Sequence, residues 1–151
     1  GRDGTGTDDL HAAIANADNP GSVLLLGHRD DIPSLIGEAD VVVCSSLKEG
    51  AAGTLIEAMA LGTPIVSVPL VGMSDVLIDG RNCRVSDLSE FPAVLEELFD
   101  DPDQVARLTA VARSDAEDRF SVVRAALRLA DIYAWAAELP PVRSVTRSQA
   151  E

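Results

Sequence analysis

Two carboxylates bracket a run of very small residues in Ser45-Ser46-Leu47-Lys48-Glu49-Gly50-Ala51-Ala52-Gly53-Thr54-Leu55-Ile56-Glu57-Ala58. Glu49 and Glu57 have seven residues between them. Ionised carboxylates only accept hydrogen bonds, so their natural partners are donors such as the hydroxyls of a sugar or the diol of a ribose. Gly50, Ala51, Ala52 and Gly53 let a ligand come close to the backbone. The stretch then turns helical near Gly53, with Glu57 expected in the first turn. The opening amides of a helix lack intrahelical partners, and the dipole there favours an anion such as a diphosphate. A simpler role competes for each acid. Thr54 and Glu57 have capping-box spacing, which would use Glu57 to close the helix start. Glu49 could equally be a solvated loop acid.

The elements that must position this loop are legible on both sides. Val23-Leu24-Leu25-Leu26, Val41-Val42-Val43-Cys44 and Ile65-Val66-Ser67-Val68 are short continuous apolar runs. Runs of this kind suit strands of a parallel sheet covered on both faces. Helical spacing lies between them, at 31–39 through Ile32, Leu35 and Ile36, and at 54–61 through Leu55, Ala58 and Met59. Gly62 is placed to end the second of these helices, and Pro64 opens the next strand. The β-α-β-α-β order predicts an α/β fold, a doubly wound, mostly parallel Rossmann-like sheet with helices on both faces. Ligands of such sheets sit at the carboxyl ends of the strands, which is where Ser45 to Thr54 falls. A helix at 7–17 precedes the first strand. A helical turn near 74–78 and an edge strand at 83–86 follow the third. Helices at 89–99, 102–117 and 121–137 complete the chain, the last with Ser121 as N-cap. Residues 140–151 show no periodicity and read as disordered.

Composition removes several function classes. Among 151 residues, 12 are basic and 25 acidic, giving a formal net charge of −13. A binder of nucleic-acid backbone needs a basic face, so no nucleic-acid partner is expected. No apolar run approaches the roughly 20 residues of a membrane-spanning helix. Cys44 and Cys83 are too far apart in sequence to form a zinc motif and read as small buried residues. Asp101-Pro102-Asp103 looks like a metal-binding D-x-D, but Asp101 before Pro102 reads as a helix cap. His28 reads as a strand-end residue that packs or hydrogen-bonds. Gly1-Arg2-Asp3-Gly4-Thr5-Gly6 lacks dinucleotide-loop spacing. No metal site is expected.

The central stretch resembles the E-x7-E motif of family-4 retaining glycosyltransferases with the GT-B fold, in their C-terminal, donor-binding domain. Ser46, Glu49-Gly50, Glu57-Ala58 and Gly62-Thr63-Pro64 match the motif. Leu26-Gly27-His28-Arg29-Asp30-Asp31-Ile32-Pro33 resembles the strand and turn before it. Val71-Gly72-Met73-Ser74-Asp75 resembles a later glycine-rich turn, and Arg119-Phe120-Ser121 with Tyr133 the closing helix. The resemblance implies a nucleotide-sugar-binding domain over 1–138, with 139–151 as a tail. It implies that Glu49, helped by amides near Gly50, Ala51, Ala52 and Gly53, contacts the donor sugar at the catalytic centre and that Thr54 and its neighbours hold the diphosphate. It places Glu57 on the ribose and the backbone around His28 and Arg29 near the base. The donor would be a UDP- or GDP-sugar, with no further cofactor. Asp75 stands where the family usually has Glu, and Cys83 where it often has Gly.

The expected helix at 7–17 has no strand before it, so the sequence reads as part of a longer protein. Its partner would be an acceptor-binding domain N-terminal to residue 1, carrying the family's usual Arg and Lys for the diphosphate. Alone, these residues are expected to bind donor weakly and transfer nothing. The expected location is cytoplasmic, with a peripheral place at the inner membrane face as a further option. Two other functions fit the same residues: a nucleotide-sugar epimerase of this architecture and a non-catalytic sugar-nucleotide-binding module.

Overall fold

The computed structural model of the protein describes residues 6–46 and 52–139. Its helices are α1 (Thr7–Ala15), α2 (Ile32–Glu38), α3 (Gly53–Leu61), α4 (Phe91–Asp100), α5 (Pro102–Phe120) and α6 (Val122–Ala137). Its strands are β1 (Val42–Cys44), β2 (Ile65–Ser67) and β3 (Arg84–Val85). Short 3-10 turns occupy Pro20–Ser22, Val71–Met73 and Leu88–Glu90. The three strands pair in the order β1-β2-β3, and both pairings are parallel. Val42 faces Ile65 and Cys44 faces Ser67 across the first pair, and Val66 faces Arg84 across the second. This is an open parallel α/β sheet, as the strand–helix alternation predicts.

Why β2 is central follows from its residues. Ile65, Val66 and Ser67 are all buried, as befits a strand covered on both faces and paired on both edges. Helix α3 supplies Leu55, Ala58 and Met59 to the same core, spaced as one helical face. Helix α4 adds Phe91, Val94 and Leu98, and α5 adds Leu108, Ala112 and Ala116. The small residues Ala58, Ala112 and Ala116 leave room for α3 and α5 to lie close together. At the end of α3, Gly62 takes φ +77°, a left-handed turn that glycine adopts without penalty. Thr63 then donates its hydroxyl to the Ile36 carbonyl at 2.8 Å, fastening the start of β2 to α2.

Two expectations need correction. Residues 23–26 form no strand, and their side chains are exposed. A gap of about 620 Å³ separates this segment from α1 and α2. A parallel strand needs both a ladder partner and cover on its faces, and α1, which buries no residue, provides no cover. For the same reason β1 is not enclosed on both faces, and Val43 remains 46% exposed. The helical turn expected near 74–78 is present, with Leu77 donating to the Met73 carbonyl at 2.8 Å, directly after the 3-10 turn Val71–Met73. The Met73 side chain between them is drawn into the core. The expected tail at 140–151 lies outside the described residues. Among the described residues, no helix is long and apolar enough to cross a membrane.

Candidate functional site

The carboxyl end of β1 runs through Ser45 and Ser46, and the chain returns at Ala52 to start α3. Residues 47–51 lie outside the described residues, and with them Glu49, Gly50 and Ala51. The two described sides of the loop nevertheless meet. Cys44, Ser45, Ser46, Ala52, Gly53 and Thr54 line one cavity of about 280 Å³. The Ala52 carbonyl accepts the first intrahelical bonds, from Leu55 at 2.9 Å and Ile56 at 3.2 Å. The amides of Gly53 and Thr54 come before that first bond, and among the described residues no side chain caps the helix. A β-carbon added at Gly53 would meet nothing within 4 Å. Among the described residues, therefore, nothing fills the space at the helix start, and its positive dipole end is toward the cavity.

The capping-box expectation is overturned here. Helix α3 starts one residue before Thr54, which puts Thr54 inside the first turn and not at the cap. Glu57 falls beyond the first turn, too far along to reach back to a capping amide. It is exposed and lines a cavity of about 370 Å³ with Ile56, Ala60, Glu117, Phe120 and Ser121.

His28 and Arg29 lie apart from the helix-start cavity. Arg29 lines the gap between α1 and α2 and spends its fork on Asp31, with Nε to Oδ1 at 2.7 Å. Arg29 holds the Asp31 carboxyl below its usual range through these hydrogen bonds. The His28 ring sits 3.6 Å from Asp30, with both side chains exposed. Asp101 caps α5, accepting from the Gln104 amide at 2.8 Å, so the D-x-D resemblance is a helix start.

Sequence reasoning missed a polar frame beneath the second half of the sheet edge. Buried Asn82 accepts from the Ile78 amide at 2.9 Å and donates to the Val76 carbonyl and to Asp115, each at 2.8 Å. Arg81 grips the same Asp115 through both nitrogens, at 2.6 and 2.9 Å. Burial pushes the Asp115 carboxyl upward, but the hydrogen bonds from Arg81 and Asn82 outweigh it and hold it below 3.8. The glycine-rich turn is tied similarly. Arg119 bonds the Asp75 carboxylate at 2.6 Å and also donates to the Asp75 carbonyl. These partners lie 33 or more residues apart in sequence. The only prior signal was that 71–75 and 119–121 both took part in the family resemblance.

Comparison with known proteins agrees with this geometry. Residues 3–101 match the family of glycosyl transferases group 1. The chain is 36% identical over 108 residues to a D-inositol 3-phosphate glycosyltransferase of Thermobispora bispora, covering 66% of this chain and 24% of that protein. It is 33% identical over 108 residues to an MMP alpha-(1->4)-mannosyltransferase of Mycolicibacterium hassiacum, covering 69% and 26%. Among solved structures, Anabaena HepE in complex with UDP-glucose superposes with a TM-score of 0.79 at 26% identity, over 85% of this chain and 36% of that one. Sucrose-phosphate synthase of Thermosynechococcus elongatus gives 0.81 at 20% identity, over 91% and 37%. The chain thus spans between about a quarter and somewhat over a third of these proteins' lengths. Its open parallel sheet is the fold of GT-B glycosyltransferase domains, and the chain belongs to the group 1 glycosyl transferases.

Proposed function

We propose that this domain binds a nucleoside-diphosphate sugar, a UDP- or GDP-hexose, and presents it for sugar transfer with retained anomeric configuration. The observation that carries the reading is the start of α3 at the carboxyl end of β1, uncapped among the described residues and facing a cavity lined in large part by small residues. An anionic diphosphate is the complement of such a helix start. The complex of HepE with UDP-glucose supports the same ligand class.

In this reading the residues divide the donor between them. Thr54 and its neighbours at the helix start hold the diphosphate, Glu57 accepts from the ribose hydroxyls, and Glu49 accepts from the sugar hydroxyls at the reacting end, where amides near Gly50, Ala51, Ala52 and Gly53 also reach the sugar. His28 and Arg29 flank the base through their backbone. The glycosidic bond to the diphosphate breaks with its electron pair passing to the departing phosphate oxygen. The acceptor oxygen bonds to the anomeric carbon from the same face and gives its proton to that departing oxygen. Amides at the helix start stabilise the charge growing on the leaving group, so the donor needs no divalent metal. A second, N-terminal domain supplies the acceptor site, and residues 1–151 alone transfer nothing. A cytoplasmic enzyme, working at the inner membrane face or free of it, fits this chemistry.

Calorimetry on the complete natural protein tests the reading. UDP or GDP is expected to bind equally well in excess EDTA. Loss of binding with chelator, restored by magnesium or manganese, rejects the metal-free site. Glu57→Gln is expected to weaken both free nucleotide and sugar nucleotide by about 1–3 kcal/mol, the cost of a lost charged acceptor. Glu49→Gln is expected to spare the free nucleotide and lower turnover. A Glu57→Gln protein that binds nucleotide normally removes Glu57 from the site.

A further inference from the structure

Arg119, near the end of α5, stands between the turn at 71–75 and the cavity that contains Glu57. On one side its guanidinium holds Asp75 twice, at the carboxylate at 2.6 Å and at the backbone carbonyl. Asp75 ends the turn that begins at Val71, and that turn lines a cavity of about 540 Å³ at the ends of β2 and β3. On the other side, the next two residues, Phe120 and Ser121, line the cavity that contains Glu57. A further pair, Arg124 to Asp118 at 3.0 Å, braces the same junction between α5 and α6.

The pair is too exposed to matter much for stability. The Arg119 and Asp75 side chains are 41% and 74% accessible, and ion pairs in such settings contribute little. Gripping a carboxylate and a carbonyl of one residue together does fix the direction of the turn, a task suited to the planar guanidinium. We propose that Arg119 is a positioning residue for the sugar-nucleotide donor. It keeps the 71–75 turn at a fixed place relative to Glu57 and the start of α3, so that the donor meets a preformed cleft. The inference rests on the nucleotide-sugar reading given above.

The test uses the complete natural protein, with UDP-glucose and GDP-mannose as probes and nucleoside diphosphate release as the turnover signal. Whichever donor the parent binds is titrated into the variants. Arg119→Met is expected to weaken that donor about tenfold, since small displacements of a positioned group cost that much or more. It should raise KM and leave kcat at saturating donor within about twofold. The melting temperature should fall by no more than about 2 °C. Asp75→Asn should act in the same direction but less strongly, because the carbonyl contact survives, and Asp75→Glu should restore binding. Glu97→Gln breaks an exposed pair with Arg84, 2.8 Å long, elsewhere on the surface, and should leave donor binding unchanged. Donor affinity within twofold of the parent in both Arg119→Met and Asp75→Asn overturns the proposal. So does an equal loss in Glu97→Gln. Should Arg119→Met fail to fold, the two Asp75 variants decide the matter. A parent that binds neither donor refutes the nucleotide-sugar reading itself, and the positioning role with it.

Discussion

Helices α5 and α6 are separated by a single residue, Ser121, yet they live in different surroundings. Helix α5 is largely polar, with Asp, Glu, Arg and Gln through its length, and still places Leu108, Ala112 and Ala116 in the core. Helix α6 is richer in apolar residues, including Leu127, Leu129, Ile132, Tyr133 and Trp135, and buries none of them. The same contrast divides α3 from the segment at 23–26, both apolar, one in the core and the other exposed. Hydrophobicity supplies the driving force, but burial needs a second surface in reach. Three small or medium side chains aimed at α3 contribute more to this domain than five large ones facing outward.

The contrast can be broken by substitution, and the largest effect is expected in the core. Met59 is fully buried, and Met59→Ala should cost about 2–5 kcal/mol through lost contacts and the cavity left behind. Leu127→Ala on α6 should change stability by no more than about 0.5 kcal/mol. Urea unfolding of both variants decides between them, and a Leu127 cost near that of Met59 would mean that α6 is packed in solution.

The polar frame comes next. Asn82→Ala leaves the Ile78 amide and the Val76 carbonyl without their partner, at about 1–3 kcal/mol. Its neighbour Asp115 adds a dependence on pH. The folded carboxyl titrates below its unfolded value of 3.8, so its contribution is present above that pH and is lost as the pH falls through the lower folded value. Thermal unfolding of Asp115→Asn between pH 7 and pH 3 should therefore show a shallower acid decline than the parent. An identical acid limb in both proteins would assign the decline to other carboxylates.

The smallest effects separate two helix caps of similar sequence. Asp101 accepts from Gln104 at 2.8 Å on a helix held in the core. Ser121 accepts from Arg124 at 3.4 Å on a helix that buries nothing. Asp101→Ala should cost about 1 kcal/mol, and Ser121→Ala only a few tenths. Equal costs would mean that cap chemistry, and not tertiary packing, governs both helices.

Local patterns made much of this visible in the sequence. The runs around Val42 and Val66 predict strands that pair in parallel, and the predicted edge strand forms at Arg84 and Val85. Gly62 and Asp101 predict an ending and a beginning that both occur. Thr54 misleads because its spacing to Glu57 fits a cap that only a helix starting two residues later, at Leu55, could use. Leu24 and its neighbours mislead because a strand is a property of pairs, and one sequence segment says nothing of its partner. The Asn82–Asp115 and Asp75–Arg119 contacts leave no periodic trace, since each joins single residues across more than thirty positions. For the candidate site, the helix start at Gly53 is readable locally. The clasp that orients the neighbouring turn is not.

Cys83 gives this domain a built-in chemical clock. Its thiol is fully buried beside Asp79, and burial first, then the Asp79 charge, pushes its pKa from 9.0 to about 12. Only the thiolate attacks an alkylating reagent, so a native Cys83 offers neither the reactive form nor a path to it. Cys44, half-buried on the open strand, is the more accessible of the two thiols. A thiol reagent should therefore consume one equivalent quickly and the second only as fast as the core opens. The slow phase would time unfolding at the sheet's far edge without any added label.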